Sequence, residues 1–166
     1  MYIAANISET SLVLDNDVFT HLRNDESPPY ARQAVRECIR HFRPPALTSI
    51  TIFEALYGTE IQASLGKLTE EEAQTYRKSV EEVSRAYEIL NFDKRSAQIA
   101  AYSYPRVFAH IENLPGLTKK ARKEKLLKIW KDVLVAATAL AHGYGVATGN
   151  QVQTQFVHHL LSNLFL

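Results

Sequence analysis

The apolar positions of this chain fall into short continuous runs separated by longer stretches with helical spacing. Ser11-Leu12-Val13-Leu14 is the first run, and its polar flanks predict a buried central strand. It ends in Asp15-Asn16-Asp17, after which Val18–Arg23 reads as a short helix. A polar, proline-containing loop follows. Tyr30–Phe42 then has helical spacing, with Ala34, Ile39 and Phe42 on its buried side and Pro44-Pro45 as its stop. Leu47-Thr48-Ser49 predicts a second strand. Ile52–Leu65 predicts a helix with Gly66 just past its end. Thr69-Glu70-Glu71-Glu72 has the form of a capping box and opens another helix, whose apolar seam is Ala73, Tyr76, Val80, Val83 and Tyr87. These two helices make an αα-hairpin, and the seam is either core or a dimer face. Tyr87–Phe92 predicts a strand, and Asp93 reads as the N-cap of a helix over Lys94–Ile111. Beyond the break at Leu114-Pro115-Gly116, Thr118–Ala141 is one long helix or two consecutive ones, rich in alanine in its second half. Gly145–Thr148 is a short strand, and Leu160–Leu166 is a candidate last edge strand. Strand and helix alternating around an inserted hairpin predict an α/β fold with a mostly parallel central sheet flanked by helices.

Length narrows this to one domain over residues 1–166, with its core about 11–156. A chain of this size buries roughly 68–70% of its unfolded surface and needs no covalent staple. The single cysteine, Cys38, excludes an internal disulfide and a multi-cysteine zinc site and suits a reducing compartment. The first ten residues lack a basic region followed by an apolar core. No apolar run approaches the roughly 20 residues of a membrane span, so a cytoplasmic protein is expected. The net charge of +1 conceals an asymmetry. Thr118–Lys131 carries seven Lys/Arg and one acid, leaving the rest of the chain acidic. Such a segment is either a solvated helix face or a seat for a polyanion held beside carboxylates.

The acids supply the candidate chemistry. Asp15, Glu54 and Asp132 all fall near expected carboxyl ends of strands or in the first turns of the helices beyond them, Glu54 in such a first turn, and Asn150 follows the strand Gly145–Thr148 in the same way. Asp15 or Asp17 can instead serve only to cap the helix that follows. Two carboxylates about 4 Å apart repel by roughly 4 kcal/mol at an effective dielectric of 20. Gathering three of them therefore calls for protons or a cation. A hard cation such as Mg²⁺ or Mn²⁺ prefers oxygen ligands, and with a basic segment nearby the combination points to phosphodiester hydrolysis on a nucleic acid. Other chemistries fit less well. The chain has no glycine-rich phosphate loop, no nucleophile elbow and no paired histidines at ligand spacing. A receiver-like phosphoacceptor built on Asp15 leaves Glu54 and Asp132 unexplained.

Four stretches in order, SLVLDNDVF, LTSITIFEALYG, YEILNFDKRSAQIA and KDVLVAATALAHGYGVATGN, resemble a PIN domain, closest in style to the VapC-type toxin ribonucleases. The resemblance runs from Ser11 to about Phe156. It implies a Rossmann-like sandwich, a Mg²⁺- or Mn²⁺-dependent endoribonuclease, frequent homodimers and a cognate antitoxin as partner. By position, Asp15, Glu54 and Asp132 match the family's three acids, and Asn150 stands where a fourth acid or a replacing Asn occurs. Asp93 matches a frequent, non-catalytic aspartate. The metal is then expected on Asp15, Asp132, Glu54 and Asp17, and RNA phosphates on Lys119, Lys120, Arg122 and Lys123. The chain departs from the pattern at Asn16 and Asp17, at Gly149, and in having no acid after Asp132. A neutral Asn150 keeps a second expectation open, a catalytically impaired PIN-fold module that binds RNA or a protein.

Overall fold

The computed structural model describes residues 2–4 in their backbone, 11–23, 36 and 45–148. The elements are β1 (Tyr2–Ala4), β2 (Leu12–Leu14), α1 (Asn16–Arg23), β3 (Ala46–Thr48), α2 (Ser49–Ser64), α3 (Glu70–Ser84), β4 (Glu88–Leu90), α4 (Lys94–Glu112), α5 (Lys119–Ala141) and β5 (Gly145–Thr148). The expected helix over 30–42, the edge strand over 160–166 and Asn150 lie outside the described residues, Arg36 apart.

The sheet has the order β1-β5-β2-β3-β4. β2 pairs in parallel with both β3 and β5, and β3 in parallel with β4. β1 runs antiparallel to β5 on the outer edge, a strand the hydropathy pattern did not mark. The chain moves outward from β2 through β3 to β4, then returns to β2's other side as β5. The strand order therefore reverses between β2 and β5, where open α/β sheets form a crevice at the carboxyl ends of their strands.

Alternation along the strands divides the core between the two sheet faces. Leu12, Leu14, Leu47 and Ala147 pack with Val18, Phe19, Ala55 and Val80 from α1, α2 and α3. Val13, Ala46, Leu90 and Val146 pack with Ile99, Val107, Ile111, Ile129, Val133 and Ala137 from α4 and α5. The hairpin of α2 and α3 forms as its signals indicate. Gly66 takes φ +65 after the end of α2, and Thr69 and Glu72 complete a reciprocal capping box at the start of α3. The α3 seam is only partly core, since Ala73 and Val80 are buried whereas Tyr76 is 46% exposed.

Thr118–Ala141 resolves into one helix capped by the Thr118 side chain, which accepts from the Ala121 N–H. None of its first ten residues is buried, and burial begins at Ile129. From there Ala136, Ala137, Ala139 and Ala141 lie on the sheet with little side-chain bulk between backbones. The helix ends at His142, and Gly143 turns the chain into β5 with φ +78.

Candidate metal centre at the carboxyl edge of the sheet

The crevice between β2 and β5 is built from local rules. Asp15 is the residue after β2, and its backbone N–H donates to the Ala147 carbonyl at 3.0 Å, continuing the ladder past the strand. Because Leu14 lies beside Ala147 in register, Asp15 falls beside Thr148. The Thr148 hydroxyl donates to Asp15 Oδ2 at 3.0 Å, and the Asn16 N–H donates to Asp15 Oδ1 at 2.7 Å. Each oxygen of Asp15 is thus held by one donor. α1 begins at Asn16, earlier than its apolar spacing suggested, so Asp17 stands in its first turn. Asp17 Oδ1 accepts from the Val18 N–H at 2.8 Å.

Glu54 comes from the helix after β3. That helix starts at Ser49, capped by the Thr48 hydroxyl, which accepts from the Thr51 N–H at 3.0 Å. Glu54 is therefore in its second turn, not its first. The helix start is tied to the crevice because the Thr51 hydroxyl donates to the Leu14 carbonyl at 3.3 Å. Asp132 arrives from α5, and about nine residues at 1.5 Å each, roughly 14 Å, separate it from the helix end beside the start of β5. That distance spans the sheet and places Asp132 at the carboxyl edge.

These acids lie close enough for their charges to act on one another. Burial first, and then the charges of Asp15, Glu54 and Asp17, raise the Asp132 carboxyl to about 7 against the opposing charge of Lys131. Burial, with the charges of Asp17 and Glu54, likewise raises Asp15 to about 6 against the hydrogen bonds from Asn16 and Thr148. Asp93 does not belong to this group. It is the exposed N-cap of α4, accepting from the Ser96 N–H at 2.8 Å.

Glu54 has a partner of its own. Lys131 Nζ lies 3.1 Å from Glu54 Oε1, and the glutamate side chain is only 12% exposed. Beside them Asn16 Oδ1 is buried without a hydrogen-bond partner. Asn16 and Glu54 also line a cleft between α1, α2 and α3, whose other walls include Thr20, Gly58, Gln62 and Tyr76.

The donor set fits a hard divalent cation in its chemistry. It consists of carboxylates whose charges help to push up Asp15 and Asp132, together with an unsatisfied amide oxygen. Among the described residues no three acids, histidines or cysteines are arranged so that they could hold a metal ion as they stand. The pairing of Glu54 with Lys131 draws one of the four acids to a cation already present.

The expected phosphate-binding residues are placed less uniformly. Lys119, Lys120 and Lys123 are exposed in the first part of α5, roughly 14–20 Å along the helix from Asp132. Arg122 instead donates from Nη2 to the Leu114 carbonyl at 3.1 Å, closing the turn between α4 and α5. Lys125 and Lys128, seven and four residues before Asp132, lie on the same stripe of the helix as the acid. Sequence reasoning named neither of these as ligands, although helical periodicity marks both. It also passed over Thr148 and Lys131, whose roles depend on pairings between distant segments.

A mostly parallel α/β sandwich with acids at its switch point is a PIN-like fold, and solved structures share it. No family model matches the chain, and no curated protein matches it in sequence. FitAcB from Neisseria gonorrhoeae contains a chain 20% identical, with TM-score 0.61, covering 89% of this chain and 93% of that one. VapBC2 from Rickettsia felis, solved bound to a DNA fragment from its promoter, contains one 15% identical, with TM-score 0.55 and coverage of 87% and 91%. A toxin–antitoxin complex from Klebsiella pneumoniae contains a third, 15% identical, with TM-score 0.51 and coverage of 86% and 89%. At these identities the likeness is one of fold.

Proposed function

We propose that the protein is a metal-dependent endoribonuclease, the toxin of a toxin–antitoxin pair acting in the cytoplasm. The observation that carries this reading is the convergence of Asp15, Asp17, Glu54 and Asp132 at one sheet edge, where burial and mutual repulsion push Asp15 to about 6 and Asp132 to about 7. Mg²⁺ or Mn²⁺ relieves that repulsion, and Asp15, Asp17 and Asp132 are the residues that would hold it, with Glu54 beside them. The cation would supply charge neutralisation at the phosphodiester and would activate water for attack. The chain's own groups do the positioning. Thr148 and the Asn16 N–H fix the rotation of the Asp15 carboxylate. The lysines of α5 hold the RNA backbone, Lys125 and Lys128 nearest the acids and Lys119, Lys120 and Lys123 farther out.

The fold shared with chains of toxin–antitoxin complexes supports a cognate antitoxin as partner, and the resemblance to VapC-type proteins adds a homodimer. The test is cleavage of a structured RNA with and without Mn²⁺, beside Asp132→Ala. Metal-dependent cleavage lost in the variant is the expected result. RNA binding without cleavage by either protein would replace this reading with that of a catalytically impaired binding module.

A further inference from the structure

Lys131 sits where a nuclease's acid cluster has least reason to hold a lysine. It immediately precedes Asp132, and its ammonium points back to Glu54, 3.1 Å away. It also lies over the face of Tyr57, 5.6 Å from the ring centroid. Tyr57 is in turn stacked on Phe53 at 5.3 Å. Glu54 and Tyr57 are neighbours on one face of α2 at i, i+3, so the helix presents a carboxylate and an aromatic shelf to the same ammonium. The Lys131 side chain is 26% exposed and that of Glu54 12% exposed, a pair shielded from solvent rather than a surface contact. Salt screens such a pair weakly, and neither group is free to leave without losing a partner.

We propose that Lys131 is a positioning residue that serves as the resident counter-cation of Glu54, keeping this glutamate from a divalent metal and so setting how tightly the three aspartates take one up. The inference rests on the proposed metal site. It separates the roles of the four acids. Asp15, Asp17 and Asp132 form the part that takes the metal, and Glu54 is a reserve ligand whose availability Lys131 controls.

The experiment is a double-mutant cycle read by Mn²⁺ binding, using electron paramagnetic resonance of free Mn²⁺ on the full chain without RNA. Lys131→Met should bind Mn²⁺ about tenfold more tightly than the wild type, which corresponds to about 1.4 kcal/mol. In a Glu54→Gln background the same change should shift affinity by no more than about twofold, because the coupling between two residues is what such a cycle isolates. Lys131→Arg should keep wild-type affinity, since a guanidinium also pairs with a carboxylate. Damage to the fold would weaken binding, so a gain cannot come from it, and the Arg variant supplies a second reading if the Met variant does not fold. Equal gains with and without Glu54, or no gain in Lys131→Met, would overturn the proposal while leaving the nuclease reading in place. Absence of Mn²⁺ binding by the wild type and every variant would remove the metal site itself and this inference with it.

Discussion

The two halves of α5 share one continuous backbone and almost nothing else. From Ile129 to Ala141 the helix has a buried face, and its alanines let it lie flat on the sheet. From Lys119 to Lys128 it buries no residue and carries six of the seven basic groups of its segment. The buried half fixes where Asp132 stands, at the carboxyl edge beside Asp15. The exposed half carries positive charge away from that point along a rigid axis, and Lys125 and Lys128 stay in line with the acid. A single helix can therefore act as anchor at one end and guide at the other, because packing needs small apolar residues and phosphate binding needs solvated cations.

Truncation across the boundary should break the symmetry most strongly. Ile129 is 1% exposed, and Ile129→Ala is expected to cost about 2–5 kcal/mol in urea unfolding through reduced burial and the cavity left behind. Two residues earlier Leu127 is 62% exposed, and Leu127→Ala should stay within about 0.5 kcal/mol. Equal losses at the two positions would show that the exposed half is packed as well.

The second test concerns what the anchored half delivers. Asp15 and Asp132 rise from 3.8 to about 6 and about 7 on folding, so the native state binds more protons than the unfolded chain between those values. Without metal, stability should accordingly fall as the pH rises from about 4 to 7 and then level off. Asp132→Asn removes the buried charge and should stabilise the metal-free protein at pH 8 by roughly 2 kcal/mol, with a flatter profile between pH 5 and 7. Thermal melts in a chelator across that range check this, and a variant less stable than wild type at pH 8 would contradict the crowding of the acids.

The smallest expected effect sharpens the exposed half. Replacing Lys125 and Lys128 together by Gln should lower the slope of log affinity against log salt for single-stranded RNA by about 1.4, at about 0.7 for each phosphate no longer neutralised. The same replacement at Lys119 and Lys120, farther from Asp132, should lower it less. An equal change at both pairs would spread the guide over the whole helix and undo the distinction between near and far lysines.

Much of the fold was legible because its signals are local. The Thr69 capping box, the Asp93 N-cap and the turn at Gly66 each involve residues a few positions apart, and each forms as read. Helix starts were less clear where capping overrode hydropathy. The Thr48 cap begins α2 at Ser49, and this moved Glu54 from the first turn to the second. The hydropathy pattern does not mark β1 as a strand, although it is as long as β2, β3 and β4.

The sequence by itself determined which acids the protein has, which strands precede them and that α5 changes character along its length. Spacing and composition encode those properties within a window of a few turns. Only the tertiary structure decided how the acids are held. Thr148 reaches Asp15 across 133 residues because β5 lies parallel to β2 in one particular register. Lys131 reaches Glu54 because α5 and α2, packed on opposite faces, meet at the carboxyl edge of the sheet. Both pairings depend on which distant surfaces are brought together, and this is settled by the burial of two separate cores on either side of the sheet.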